Sequence, residues 1–152
     1  MEYNSWFSSP VGTLRLRSDG TALTGLAITS EPPSTSDPLP LWTPVHSWLS
    51  IYFSGRDPGP FPCPLSPAGT EFQKSVWKLL LEIPYRETVS YRFLARRLSP
   101  TMSPQAVGRA VGKNPIAIVI PCHRVVGAAG QLTGYAYGLR AKQFLLKLEA
   151  SH

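Results

Sequence analysis

The chain has 152 residues, 43% of them hydrophobic, with 16 prolines, two cysteines and a formal net charge of +6. That length buries a core in one domain or two small ones. No apolar run reaches membrane-spanning length and no signal-peptide pattern opens the chain, so a soluble cytoplasmic protein without a membrane partner is expected.

The charge is unevenly spread. Residues 1–69 hold three Lys/Arg against five acids, and residues 70–152 hold twelve against four. A basic second half suits either a polyanion partner or a solvated surface. Cys63 and Cys122 are expected as free thiols, because disulfides are rare in the cytosol. Together with His46, His123 and His152 they show none of the close paired spacings of a zinc site, so no metal is expected.

Residues 3–8, 12–18 and 22–28 read as three short strands, with turn chemistry at 9–12 and Asp19-Gly20. An antiparallel meander follows. Residues 31–40 are too rich in proline and serine to pack. Residues 41–53 read as a helix with Trp42, Val45, Trp48, Leu49 and Tyr52 at helical spacing, ended by Gly55. Residues 1–55 thus form a first domain that shows no chemistry, its aromatics read as core. Residues 56–69, rich in Pro and Gly, read as a connector to a second domain, 70–152.

The second domain opens with Thr70 and Gln73 as a capping box. Pro84 stops that helix. Ser90 caps a helix from Tyr91 to about Leu98, and Ser103 caps another with Pro104 at its first position, ending near Gly112. The pair fits a helix-turn-helix, and also any two short helices of an α-rich core. In the later helix Gln105, Arg109 and Lys113 recur every four residues and project together. Ala106, Gly108 and Ala110 between them carry almost no side chain, so this helix can approach a nucleic-acid groove. The last helix, about 139–149, places Ala141, Phe144, Leu145 and Leu148 on its buried face and Glu149 at the margin. Gly127, Gly130, Gly134 and Gly138 make the segment around Tyr135 a lid or a loop.

The chain centres on residues 114–125. An apolar, β-branched run from Ile116 to Ile120 lies between Pro115 and Pro121 and reads as a short buried segment. Cys122, His123 and Arg124 follow. A thiol needs a base or a positive neighbour to become a thiolate at neutral pH. By itself the pair reads as packing or as chemistry.

Pro121-Cys122-His123-Arg124-Val125, preceded by Asn114-Pro115 and the apolar run, resembles the active-site signature of the O6-alkylguanine-DNA alkyltransferases. Tyr91, Tyr135 and Glu149 stand at matching spacings, and the resemblance runs from about Phe72 to Glu149. It implies an α+β fold: a small antiparallel three-stranded sheet plus helix, ribonuclease-H-like, then a mostly helical, winged-helix-like domain with a helix-turn-helix. It implies double-stranded DNA carrying O6-alkylguanine as partner, no cofactor, and a monomer, with cooperative binding along DNA left open. The damaged base would be flipped out and its alkyl group moved irreversibly to Cys122. His123 would act as general base through a water, and Glu149 would orient it. Tyr91 would rotate the nucleotide and bond the departing guanine. Asn114 would brace the turn. Val125 and the Cys122 carbonyl would read the guanine edge. Tyr135, Ala136 and Tyr137 would lie at the pocket, and Gln105, Ala106, Arg109, Lys113 and Arg124 would contact DNA.

The sequence departs from that pattern in three places. Gln105 stands where an arginine usually fills the gap left by the base. Arg86 and Tyr137 stand where glycines are usual. The rival readings are an alkyltransferase-like protein that binds lesions without transfer, a helix-turn-helix regulator and a cysteine hydrolase. Cys122 opposes the first, the Cys122/His123/Glu149 set the second, and the lack of an oxyanion-hole loop the third.

Overall fold

The computed structural model describes residues 1–151; His152 lies outside them. Strands β1 (Tyr3–Ser9), β2 (Gly12–Ser18) and β3 (Leu23–Thr29) form an antiparallel sheet in that order. Phe7 lies opposite Leu14 and Leu16 opposite Leu26, which turns Leu14, Leu16, Leu23 and Leu26 into the core. Gly12 makes the β1–β2 turn at φ 123°, where a side chain would meet Thr29 O. Helix α1 (Trp42–Phe53) covers the sheet with Trp42, Val45, Leu49 and Tyr52, and Gly55 ends it at φ 87°. A left-handed turn after a helix suits glycine, which has no Cβ to clash.

The Pro/Gly-rich stretch after α1 does not hang free. Leu23 N–H donates to Pro64 O at 2.9 Å and Ser66 N–H to Leu23 O at 2.9 Å, so this stretch extends the edge of β3. The far half does the same further along. Leu26 N–H donates to Pro115 O (2.9 Å) and Ala117 N–H to Leu26 O (3.0 Å). One strand therefore carries both the connector and the segment that leads to Cys122. The buried residues of both halves form one continuous core.

Helix α2 (Glu71–Leu80) begins with both halves of its capping box made, Gln73 N–H to Thr70 Oγ1 at 3.1 Å and Thr70 N–H to Gln73 Oε1 at 3.0 Å. Strand β4 (Val89–Ser90) leads into α3 (Tyr91–Leu98), and α4 (Pro104–Gly112) follows, capped by Ser90 and Ser103 as the sequence predicts. Trp77 of α2 donates its indole N–H to Ala110 O at 2.8 Å, which fixes α4 from behind. The α3–α4 pair is the helix-turn-helix. A 3-10 turn, Cys122–Arg124, runs into β5 (Val125–Val126), which pairs in parallel with β4. Helix α5 (Leu139–Ala150) packs over that turn.

The run 116–120 is buried, as the sequence predicts, but it is a coil of tight turns. Ile120 N–H donates to Ile116 O, and Ile118 sits at φ 71°. A β-branched residue there costs on the order of 1–3 kcal/mol and persists only where its surroundings over-determine it. Asn114 is one such determinant. Its side chain donates to Ile120 O (2.8 Å) and accepts from Ile116 N–H (3.0 Å).

Thr70→Ala removes one side of the capping box and should lower stability by about 1 kcal/mol, read as a lower midpoint in urea unfolding with an unchanged slope.

Candidate active site

Cys122 ends the strained segment and is 7% exposed. It lines a cavity of only about 40 Å³ with Tyr91, Gly108, Val111, Gly112, Asn114, Gly134, Tyr135, Ala136 and Tyr137. That volume holds a water or two and no purine. A wider opening of about 480 Å³, lined by Tyr91, Pro104, Gln105, Gly108, Gly112, Gly134 and Ala136, lies between α4 and that segment. Thr133 latches the segment from inside: its hydroxyl donates to Tyr91 Oη at 2.9 Å, and its carbonyl accepts from Lys142 Nζ at 3.2 Å. Tyr91 accepts that bond and keeps its own proton for another acceptor.

Burial pushes the Cys122 thiol up. The Asn114 side chain, the charge of Lys142 and the Tyr135 hydroxyl offset this only in part, so the thiol stays above its ordinary value. His123 is fully buried, and burial lowers its pKa. Its Nε2 lies 2.5 Å from Glu149 Oε2. With Nε2–H given to the carboxylate, Nδ1 carries the lone pair. Nδ1 is buried without a partner, so it is the nitrogen able to receive a proton from the thiol side.

Glu149 is the centre of this network. Oε2 accepts from His123, from Tyr52 Oη at 2.6 Å and from Arg124 Nη2 at 3.2 Å. Oε1 accepts from Arg124 Nε at 2.8 Å and from Arg86 N–H at 3.2 Å. Burial pushes the carboxyl up, but the bonds from His123 and Arg124 and the Arg124 charge outweigh it and hold the pKa at about 2.

Several expectations need correction. Arg124, expected at the DNA face, is buried. Its donors point inward, to Glu149 and to Ile83 O at 2.8 Å, and its guanidinium lies over the Tyr85 ring. Val125 is fully buried in β5, and its N–H donates to the Cys122 carbonyl, which keeps a second lone pair. The buried face of α5 is Lys142, Leu145 and Glu149, while Phe144 is exposed. An apolar count chose the wrong column because the polar residues there have buried partners. The N-terminal half is not silent either: Tyr52 of α1 reaches Glu149 and lies 3.4 Å from His123 Nε2. Helical spacing places Tyr52 in the core, but nothing local signals where its hydroxyl goes.

Gln105, Arg109 and Lys113 are exposed along α4, and Ala106 is half-buried between them. Ala106, Arg109 and Lys113 line an open groove of about 600 Å³ that runs to Thr70, Phe72 and Gln73 at the start of α2. Among the described residues no group of three or more His, Cys, Asp or Glu side chains could hold a metal ion.

A slim, basic recognition helix beside one buried, base-backed cysteine defines a DNA-binding protein with a nucleophilic thiol. Residues 71–151 match the DNA-binding domain of 6-O-methylguanine DNA methyltransferase, and the chain belongs to that family. The methylated-DNA–protein-cysteine methyltransferase of Methanosarcina acetivorans is 44% identical, over 98% of this chain and 99% of that protein. The corresponding protein of Haemophilus influenzae is 41% identical over 97% and 86%. The crystal structure of the Mycobacterium tuberculosis O6-methylguanine methyltransferase superposes with a TM-score of 0.88 at 41% identity, over 99% of this chain and 94% of that one. The OGT of the same organism in complex with DNA gives 0.86 at 42% identity, over 96% and 91%.

Two outcomes are expected. The folded-state pKa of Glu149 lies below its unfolded value, so its stabilisation is present above about pH 4.5 and is lost as pH falls towards 2. Glu149→Gln should therefore lose stability at neutral pH, on the order of 3 kcal/mol, and unfold with a flatter acid profile in urea titrations from pH 6 to 2. Tyr137 lines the cavity and packs edge-on to Tyr135 at 5.6 Å. Overpacking a formed site costs about 1–3 kcal/mol, so Tyr137→Gly should raise the rate with O6-benzylguanine relative to O6-methylguanine by about tenfold, read in single-turnover assays.

Proposed function

We propose that this chain repairs double-stranded DNA by moving the alkyl group of O6-alkylguanine, and of O4-alkylthymine, onto Cys122 in one irreversible turnover. The reading rests on one observation. The Cys122 cavity and the wider opening against α4 share Tyr91, Gly108, Gly112, Gly134 and Ala136 in their walls, and the residue after the cysteine, His123, is paired with Glu149.

The α4 stripe of Gln105, Arg109 and Lys113 meets the DNA, while Ala106 and Gly108 let the helix approach closely. The lesion leaves the stack and displaces the Thr133 latch. The Cys122 thiol passes its proton to His123 Nδ1 through a water as its sulfur attacks the alkyl carbon, the carbon–O6 bond breaks, and its electron pair leaves on guanine. Guanine then takes up one proton, for which Tyr91 at the cavity wall supplies a hydroxyl donor. The thioether has no leaving group, so each molecule reacts once. The protein acts as a monomer in the cytoplasm, or in the nucleus of a eukaryote, where Cys122 stays reduced.

The lesion-binding alternative makes a different prediction. On exposure to DNA carrying O6-methylguanine, intact mass should show one methyl group per molecule, on the peptide that holds Cys122. Repeated turnover, a methyl on Cys63, or binding without mass change would contradict transfer to Cys122. Cys122→Ala should bind the same DNA and transfer nothing.

A further inference from the structure

Tyr52 belongs to α1, outside residues 71–151 that match the family's DNA-binding domain. Every site residue that the resemblance implies also lies in the second half of the chain, from Tyr91 to Glu149. Yet Tyr52 is fully buried, and three neighbours set its ring. It stacks on Trp48, one turn earlier in α1, with centroids 5.8 Å apart. It meets Phe53 edge-on at 5.2 Å and Tyr85 edge-on at 6.2 Å. These contacts decide where its hydroxyl points.

The hydroxyl donates to Glu149 Oε2 at 2.6 Å, the same oxygen that lies 2.5 Å from His123 Nε2. Tyr52 Oη is itself 3.4 Å from that nitrogen. One carboxylate oxygen thus serves both donors. A hydrogen bond to a carboxylate stabilises its negative charge and weakens its pull on a neighbouring proton. The other groups around the pair are few. Arg124 binds Glu149 through Nε and Nη2, and Arg86 N–H closes Oε1. Arg124 and Lys142 are the cations that act on His123, and both oppose its protonation. Tyr85 and Tyr135 feel the Glu149 charge, but their hydroxyls make no bond to it. Cys122 precedes His123 in the same turn.

We propose that Tyr52 is a positioning residue of the alkyl transfer: its hydroxyl holds Glu149 Oε2 against His123 Nε2 and draws off part of that oxygen's charge, so that His123 keeps its Nδ1 lone pair for the cysteine proton. The assignment rests on the reading that His123 is the base for Cys122, and it deepens that reading, because the base is then tuned from the first half of the chain. Tyr52 gives up no proton itself. Burial first, and the Glu149 charge next, hold its phenol well above the ordinary pKa. In the transfer step the thiol proton moves to Nδ1, Nε2–H stays on Glu149, and the phenol keeps its hydrogen.

The test is Tyr52→Phe, which removes the hydroxyl and keeps the ring. Imidazole ¹⁵N shifts of His123, followed against pH without DNA, give its titration midpoint. The midpoint should rise by about one pH unit, because Oε2 regains charge while Arg124 still keeps Glu149 ionised. The acid limb of single-turnover transfer from O6-methylguanine DNA should move up by the same amount. Below the midpoint the rate then falls about tenfold, while DNA affinity stays near wild type. A variant that transfers more slowly at every pH, with the His123 midpoint unmoved, would reduce Tyr52 to packing and overturn the proposal. Should Tyr52→Phe not fold, the wild-type protein gives the reciprocal measurement. The Tyr52 hydroxyl proton should move upfield as His123 becomes imidazolium, since the two donors share Oε2. A hydroxyl resonance indifferent to that titration overturns the proposal as well. Neither magnetic-resonance arm contains DNA, so failure of lesion transfer and failure of the Tyr52 assignment give separate signals.

Discussion

The structure depends on how the Glu149 carboxylate is held. It is a buried anion, and it accepts five hydrogen bonds from four residues in three separate places: Tyr52 of α1, Arg86 before β4, and the cysteine turn, once through His123 and twice through Arg124. A buried charge is costly unless it is paired and saturated, and breaking such a pair from one side costs about 3–5 kcal/mol because the partner is left behind. Each element that reaches Glu149 is therefore fixed relative to the others. The same bonds keep Glu149 ionised, while burial lowers the pKa of His123 against the pull of that carboxylate, with Nδ1 as its basic nitrogen.

A second constraint acts from the sheet. β3 binds the connector at Leu23 and the active-site segment at Leu26. Asn114 closes the segment from within, and the left-handed Ile118 shows how tightly it is determined. The cysteine is thus held by a rigid floor, while the wall opposite is a glycine-rich segment tied by one threonine.

The departures from the family pattern acquire different meanings. Arg86 sits at φ 76°, where glycine is free of strain, but the group that matters there is its N–H, which any residue except proline supplies to Glu149. Its side chain adds a bond to the Glu149 carbonyl at the end of α5. Tyr137 has a direct place on the cavity wall. Gln105 stands exposed at the mouth of the opening, uncharged and shorter in reach than an arginine.

The sequence by itself determined the strands, the helices and their caps, because those follow from local chemistry: Thr70 and Gln73, Ser90, Ser103 with Pro104, and the glycine after α1. It also pointed to Cys122, His123, Asn114 and Glu149, whose spacing is itself a signature. It could not place hydrogen-bond partners far along the chain. Tyr52 and Glu149 are 97 residues apart, and Arg124 looks like any basic residue after a nucleophile until its donors are traced inward. Lys142 was hidden for the same reason. A lysine in a helix reads as solvated, because burial of a charge depends on what other elements bring to it. Only the tertiary structure decided which polar column of α5 faced inward, since hydrophobic periodicity has no term for a charge that is paid for by partners elsewhere.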